Sequence, residues 1–367
     1  MKQRKADKIL TMVVLSLSIF GLIMISSASV VISYNNFGHN YYYLFHQFLY
    51  GFLPGMFFLL LFQKIDYRVF KKYAPTLFAI AIIFLLFVFV PGLGHGAKGA
   101  SRWIEIGNIN FQPSEISKLT FILYLAAWFE KRKGHLKSFS GLLVPFVCIL
   151  AIMTLFLIKQ PDIGTLIVIV TTAVVMYFMA GTKLVHIVFL IFVGAAGVFA
   201  LIKIAPYRMN RLMVFLHPEL DPLGIGYQIN QALLTIGSGG IFGLGLGHSR
   251  QKFNYLPEPM GDSIFAVIGE ELGIIGLVVI VALFLLFALR GFKIANKTTD
   301  DFGKLVAVGI TSWIVFQSLI NMAAITSLIP LTGIPLPFIS YGGSAMVTSL
   351  ASVGILLSIS RYGISER

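Results

Sequence analysis

What most constrains this chain is a succession of ten apolar runs, near residues 9–32, 44–62, 74–91, 114–129, 142–158, 163–180, 184–203, 263–288, 304–325 and 343–360. Runs of this length suit the roughly 30 Å hydrocarbon core of a bilayer, crossed by about 20 helical residues. Inside hydrocarbon every backbone polar group needs a partner in the protein, so such runs fold as helices. Apolar residues make up 57% of the chain and charged ones 12%, whereas average soluble domains carry about 25% charged residues. That composition excludes a soluble enzyme, a disordered chain and a disulfide scaffold. The lone Cys148 cannot form an intramolecular disulfide. The expected fold is all-α, one polytopic membrane domain over residues 1–367 with about ten transmembrane helices.

A formal charge of +13 suggests an anionic partner, and its placement decides which kind. The cations sit in short clusters between the runs, not on one polar face, so they read as topology signals and not as a nucleic-acid surface. With the N-terminus inside, 19 of the 28 Lys and Arg fall on cytoplasmic segments, including Lys5 and Lys8, Lys64 to Lys72, Lys131 to Lys133, and Arg290 to Lys304. Eight fall outside, mostly in long loops, where the rule is weak. Both termini are therefore expected in the cytoplasm of a multi-pass protein of the cytoplasmic membrane. The run at 9–32 exceeds a signal-peptide core of about 7–15 residues and reads as a retained first helix.

Two outer segments are too long to be simple connectors, Gly92 to Pro113 and Ala205 to Asp262. The second holds Gly237, Gly239, Gly240, Gly243, Gly245 and Gly247, interleaved with Ile241, Phe242, Leu244 and Leu246. This pattern predicts a partly re-entrant loop, dipping into the membrane interface and buried against protein. No Walker loop or dinucleotide fingerprint is present, so nothing points to ATP or NAD.

Ionisable residues within or beside the runs carry the candidate chemistry, because each is costly there unless paired or hydrated. Glu115 and Lys118 are three apart at the start of the fourth run, on one helix face, and form either a structural ion pair or part of a substrate cavity. Asp162 follows Pro161 where a helix cap is favoured. Asp262 stands at the outer start of the eighth run, as a cap or as a reactive carboxylate. Arg250, Lys252 and Glu258 precede it on the same loop, so phosphate-binding cations and proton-transferring carboxylates meet at one membrane–water boundary. At about 100° per residue, Glu270 and Glu271 are expected to face different neighbours. Arg102 and Trp103 form either a phosphate-and-sugar clamp or an interfacial anchor. The seven His make no ligand-spaced pair, so no metal site is read from the sequence.

Four segments in order, SRWIEIG…FQPSEISKL at 101–119, KQPDIGT at 159–165, Gly224 to Gly273, and GIPLPFISYGGS at 333–344, resemble the SEDS family of bacterial peptidoglycan polymerases. The likeness covers essentially the whole chain, and GLGHSRQKFNYLPE at 245–258 is more similar to the division and sporulation branch than to the elongation branch. The resemblance implies a glycosyltransferase that polymerises lipid II into β-1,4 glycan strands at the outer face of the cytoplasmic membrane, in cell division. The family's essential aspartate falls on Asp262, its acid–base pair on Glu115 and Lys118, and its first-loop arginine on Arg102. Ser263 stands where the family has an aromatic residue, and Met260 and Gly261 replace a polar pair.

Physically, Asp262 would serve as general base for a sugar hydroxyl, a contribution of roughly 10²–10⁴-fold. Arg102, Arg250 or Lys252 would meet the charge on the leaving pyrophosphate, and Glu258 completes the substrate-binding set. No certain cofactor follows; a divalent cation could share the pyrophosphate. The implied partners are lipid II and undecaprenyl-linked glycan, a class B penicillin-binding protein (a transpeptidase), other division proteins and membrane lipid. The alternatives are a lipid II flippase, an elongation-type polymerase, and a scaffold for division proteins.

Overall fold

The computed structural model describes residues 5–92, 94–95, 102–106, 109–135, 138–204, 206–217, 224–253 and 255–363. Parts of the long outer segment, Ala205, residues 218–223 and Asn254, lie outside the described residues.

Helices occupy all ten apolar runs. The first is α1 (Lys8–Ala28), continued beyond Ser29 by a short α2 (Val30–Phe37). The second comprises α3 (Tyr42–Gln47), a π-helical turn (Phe48–Phe52) and α4 (Leu53–Lys64). Then follow α5 (Arg68–Phe87), α6 (Pro113–Lys131), α7 (Val144–Lys159, entered through a π-helical turn at Phe139–Leu143), α8 (Ile163–Met179) and α9 (Leu184–Ile204). The long outer segment folds into α10 (Pro206–Leu216) and α11 (Ile225–Ser238) before the last three helices, α12 (Ile264–Lys297), α13 (Asp301–Ile325) and α14 (Gly343–Tyr362). Among the described residues, seven helical stretches are long and apolar enough to cross a membrane, and two apolar helices are shorter. The tenth, α6, carries Glu115, Lys118, Glu130 and Lys131.

The helices differ in what surrounds them. The spans of α13 and α14 are 78% buried in protein, whereas those of α5 and α12 are only 22% buried. The two buried helices form the centre: α14 packs on α4, and α13 packs on α12, α8 and α6. Their small and polar residues, Thr311, Ser312, Ser318, Ser349 and Ser352, allow close helix approach. Peripheral α12 instead exposes Val278, Leu285 and Leu289, as a lipid-facing helix does.

Charged residues join the segments at one end of the bundle. Arg290 binds Asp7, Tyr67 donates to Asp300, Lys71 pairs with Glu130 at 2.7 Å, and Lys133 pairs with Asp301. The Asp7 N–H also donates to Ser360 Oγ at 3.2 Å, which joins the start of α1 to the end of α14 on that side. At the other end, the first outer segment holds a small antiparallel sheet, β1 (Gly94–His95), β2 (Trp103–Ile106) and β3 (Ile109–Phe111), in the order β1-β2-β3. Neither this sheet nor α10 and α11 was expected from the apolar pattern, because short amphipathic elements leave little trace in it.

Candidate active site

The glycine-rich segment is seated in a break of α12. At Gly273 the backbone leaves helical geometry (φ 67°, ψ −168°), dividing α12 into a short N-terminal piece and a long C-terminal one. The segment fills the gap in hydrogen bonding: the Leu244 and Gly245 N–H groups donate to the Glu270 and Glu271 carbonyls at 2.9 and 3.0 Å. In return the Ile274 and Ile275 N–H groups donate to the Gly240 and Ile241 carbonyls at 3.0 and 3.3 Å. Glycine is required where the two chains touch. A Cβ on Gly243 (φ +80°) would lie 2.2 Å from the Glu271 carbonyl oxygen, and one on Gly273 2.3 Å from that of Ile241. Meanwhile the Ile241, Phe242 and Leu246 side chains point outward and are exposed. Backbone satisfied by protein with apolar side chains turned out is what a re-entrant segment needs in lipid.

The same junction is closed by buried charge. Lys252 Nζ donates to Glu271 Oε1 at 3.2 Å, to Ser27 Oγ at 3.1 Å and to the Gly247 carbonyl at 2.6 Å. Glu270 accepts from Ser249 Oγ and, at 3.0 Å, from the Arg250 N–H. As expected, Glu270 and Glu271 take different side-chain partners, Ser249 for the first and Ser27 with Lys252 for the second. Both nevertheless reach the 249–252 segment, because the chain passes α12 beside its break at Gly273. Lys252 is corrected as a pyrophosphate ligand: its three donors are used in this buried cluster, and the side chain is 4% exposed.

From this anchor the chain runs to Asp262, just before α12. The helix cap is Ser263, without a capping side-chain bond, so capping does not account for Asp262. Its surroundings hold the loop from three directions. Asn321 Nδ2 of α13 donates to the Asp262 carbonyl at 2.9 Å and to the Ile334 carbonyl at 2.8 Å. Ser340 Oγ donates to the Gly261 carbonyl at 2.7 Å, and the Tyr341 N–H to the Met260 carbonyl at 2.8 Å. The side chain itself is half-buried, with Oδ1 buried and without a hydrogen-bond partner. Burial first, and the nearby Glu258 carboxylate second, push its pKa up to about 6; the Gln228 amide and adjacent backbone N–H groups pull it partly back. The exposed Glu258 adopts a left-handed backbone (φ 49°) at the turn that brings its carboxylate near Asp262.

The other expected residues fall into two groups. Glu115 and Lys118 do pair, at 2.8 Å, and both are almost wholly buried. Lys118 Nζ also donates to Gln317 Oε1 at 2.8 Å and lies 4.9 Å above the Trp313 ring. Gln317 in turn donates to the Pro335 carbonyl at 2.9 Å, in the 326–342 loop that also grips Asp262. Arg102, by contrast, is turned away from any clamp role: its guanidinium donates to the Gln160 carbonyl at 3.0 Å and to that of Pro161, holding the α7–α8 turn. Asp162 caps α8 through the Thr165 N–H at 3.2 Å. The Arg250 side chain is exposed on the Asp262 loop.

Gln317, Asn321 and Gln228 were missed in the sequence. The first two are polar residues inside an apolar run, and the cost argument applied to Glu115 would have found them. Among the described residues no three or more His, Cys, Asp or Glu converge as a metal cage. A divalent cation beside Asp262 and Glu258 would draw its remaining ligands from substrate oxygens and water, as Mg²⁺ commonly does.

The family model for FtsW, RodA and SpoVE, described as "Cell cycle protein", matches residues 7–364. A "Probable peptidoglycan glycosyltransferase FtsW" of Geobacter sp. (strain M18) is 43% identical over 354 residues, covering 96% of each chain. "Stage V sporulation protein E" of Bacillus subtilis (strain 168) is 42% identical over 363 residues, covering 98% of each. Among solved structures, a chain from work described as "Structural coordination of polymerization and crosslinking by a peptidoglycan synthase complex" aligns with a TM-score of 0.81 at 26% identity, covering 97% of both chains. The rod shape determining protein RodA of Thermus thermophilus aligns at 0.71 and 26%, covering 97% of this chain and 98% of its own. With helices on all ten apolar runs and a family match over residues 7–364, this chain is an integral membrane protein of the FtsW/RodA/SpoVE family, the SEDS proteins.

Proposed function

We propose that this chain is a peptidoglycan glycosyltransferase of cell division, polymerising lipid II into β-1,4 glycan strands at the outer face of the bacterial cytoplasmic membrane, with Asp262 as general base. The observation that carries this reading is a half-buried carboxylate with one buried, unpartnered oxygen, held near neutrality by burial and by Glu258. An acceptor sugar hydroxyl that hydrogen-bonds the accessible part of this half-buried carboxylate gives up its proton to it as it attacks the anomeric carbon of the donor strand. The bond from that carbon to the pyrophosphate breaks, and undecaprenyl pyrophosphate departs. Arg250, exposed on the same loop, meets the charge that builds on it. Glu115, Lys118 and Gln317 shape the wall behind the 326–342 loop, while Arg102 and Lys252 hold the architecture.

Similarity to relatives named FtsW and SpoVE supports the division and sporulation role. Similarity to a chain of a peptidoglycan synthase complex supports a class B penicillin-binding protein as partner. The cation distribution supports a cytoplasmic side for both termini. A flippase would need charges spaced through the bilayer, whereas Glu115, Lys118, Lys252, Glu270 and Glu271 all gather toward the end that bears Asp262. The test is polymerisation of purified lipid II by the purified chain, with and without such a transpeptidase. Glycan strands on a gel are expected in the complex. Transbilayer movement of lipid II with no strands in either sample would replace the reading by the flippase.

A further inference from the structure

Beyond α1 the chain enters a stretch the mechanism leaves unused. Residues 30–50 contain five Tyr, three Phe and two His, but no Asp, Glu, Lys or Arg. In the fold these rings form a row. The centroids of Phe37 and Tyr42 are 3.6 Å apart and stacked, those of Tyr42 and His46 are 6.0 Å apart, and those of His46 and Tyr50 are 4.8 Å apart. Tyr43 meets the Tyr341 ring edge-on at 5.3 Å, and Tyr341 Oη lies 2.9 Å from His46 Nδ1. Phe37 and Tyr50, at the ends of the row, are 43% and 40% exposed.

The row is joined directly to the Asp262 loop. The Tyr341 N–H is the group that donates to Met260, two residues before Asp262, and the Gly342 N–H donates to Gln47 Oε1 at 3.0 Å. One short segment, Ser340 to Gly342, therefore fixes both the reactive carboxylate and the aromatic row. The chemistry of the row is specific in kind. Tyr42 is stacked between Phe37 and His46, so the exposed end rings, Phe37 and Tyr50, are the ones that offer a face to the C–H surface of a pyranose. The Asn36 amide, which donates to the Tyr43 phenol at 3.2 Å, and the Tyr341 phenol beside the His46 imidazole keep further hydrogen-bonding capacity for hydroxyl and acetamido groups. A phosphate or an acidic headgroup would call for cations, which this stretch lacks.

We propose that the row Phe37–Tyr42–His46–Tyr50, with Tyr43 and Tyr341, is a saccharide subsite that holds N-acetylated hexose units of the glycan strand beside Asp262. The proposal rests on the glycosyltransferase reading for the identity of its ligand. Binding is measured apart from catalysis, with purified Asp262→Asn protein in lipid nanodiscs and a soluble β-1,4-linked N-acetylglucosamine hexasaccharide, by saturation-transfer NMR. Saturable binding is expected, weakened about fivefold by Tyr42→Ala and by Tyr50→Ala, the worth of one ring contact, and kept by Tyr42→Phe. In the Asp262 background the same two alanine variants are expected to shorten strands made from lipid II about fivefold, by that same ring-contact loss. Tyr50 lies at one of the two exposed ends, so its truncation tests the row even if Tyr42→Ala fails to fold. Absence of hexasaccharide binding, or unchanged affinity in the folded alanine variants, overturns the proposal and leaves an interfacial aromatic belt. Should Asp262→Asn still polymerise, the base assignment fails while the binding result stands alone.

Discussion

At the scale of single residues, Asp262 combines two properties that pull against each other. A base must be ionised to work, yet burial and Glu258 raise its pKa to about 6. The polymerisation rate should therefore be flat above about pH 7 and fall roughly tenfold per unit below about pH 6, read from a pH–rate profile. The stability consequence has the opposite sign to an ordinary salt-bridged carboxylate. The unfolded group titrates near 3.9, so between about pH 4 and 6 the folded state binds more protons. Ionised Asp262 thus costs stability above about pH 6, and the cost is absent below about pH 4. Glu115 and Lys118 behave differently, because each neutralises the other in a sealed setting. Lys118→Met should destabilise by about 3–5 kcal/mol by stranding Glu115. Glu115→Gln added to it should recover thermal stability without recovering activity. Full activity in the double variant would make the pair purely structural. The sequence disclosed this pair through its spacing of three. It could not disclose Lys252 with Glu271, 19 positions apart, because their meeting depends on the break at Gly273.

At the scale of elements, the break in α12 and the segment threaded into it act as one unit. The Gly243 and Gly247 backbones both need left-handed conformations (φ +80° and +82°), but only Gly243 faces a backbone oxygen within clash distance. Gly243→Ala should therefore abolish polymerisation and open the 239–252 segment to limited proteolysis, whereas Gly247→Ala should cost only about 1 kcal/mol of conformational strain. Equal effects of the two would mean that the close approach to Glu271 is unimportant. The glycine run and its apolar interleaving made the re-entrant segment legible in the sequence. Its seat did not show, because Gly273 reads as one more small residue in an apolar run. The strands after α5 were hidden because they are too short to impose a period, and helices α10 and α11 because they are short and amphipathic, so a reading of continuous apolar runs passes over them.

At the scale of the whole molecule, ten apolar runs sufficed to place the helices, since hydrocarbon leaves the backbone no alternative. They did not reveal that α13 and α14 form the centre, because helices facing lipid and helices facing protein are both apolar. Orientation rests on the cation count and is testable in a Cys148→Ser background, as Cys148 is exposed. A cysteine at the exposed Asn296 should label only from the cytoplasm, and one at Tyr255, 57% exposed, only from outside. The reverse pattern would move the site to the wrong face for strand synthesis.

The central claim is that Asp262 takes the proton of the acceptor hydroxyl, and one substitution addresses it. Asn at 262 keeps the size and the hydrogen-bonding oxygen but cannot accept that proton. In the purified chain assembled with the proposed transpeptidase partner, Asp262→Asn should lower lipid II polymerisation by about 10²-fold or more while leaving expression and partner binding near normal. Its thermal stability above about pH 6 should equal or exceed that of the natural chain, since a costly buried charge is gone. Long glycan strands made by Asp262→Asn at the natural rate would contradict the assignment and move attention to Glu258, the nearest other carboxylate on that loop.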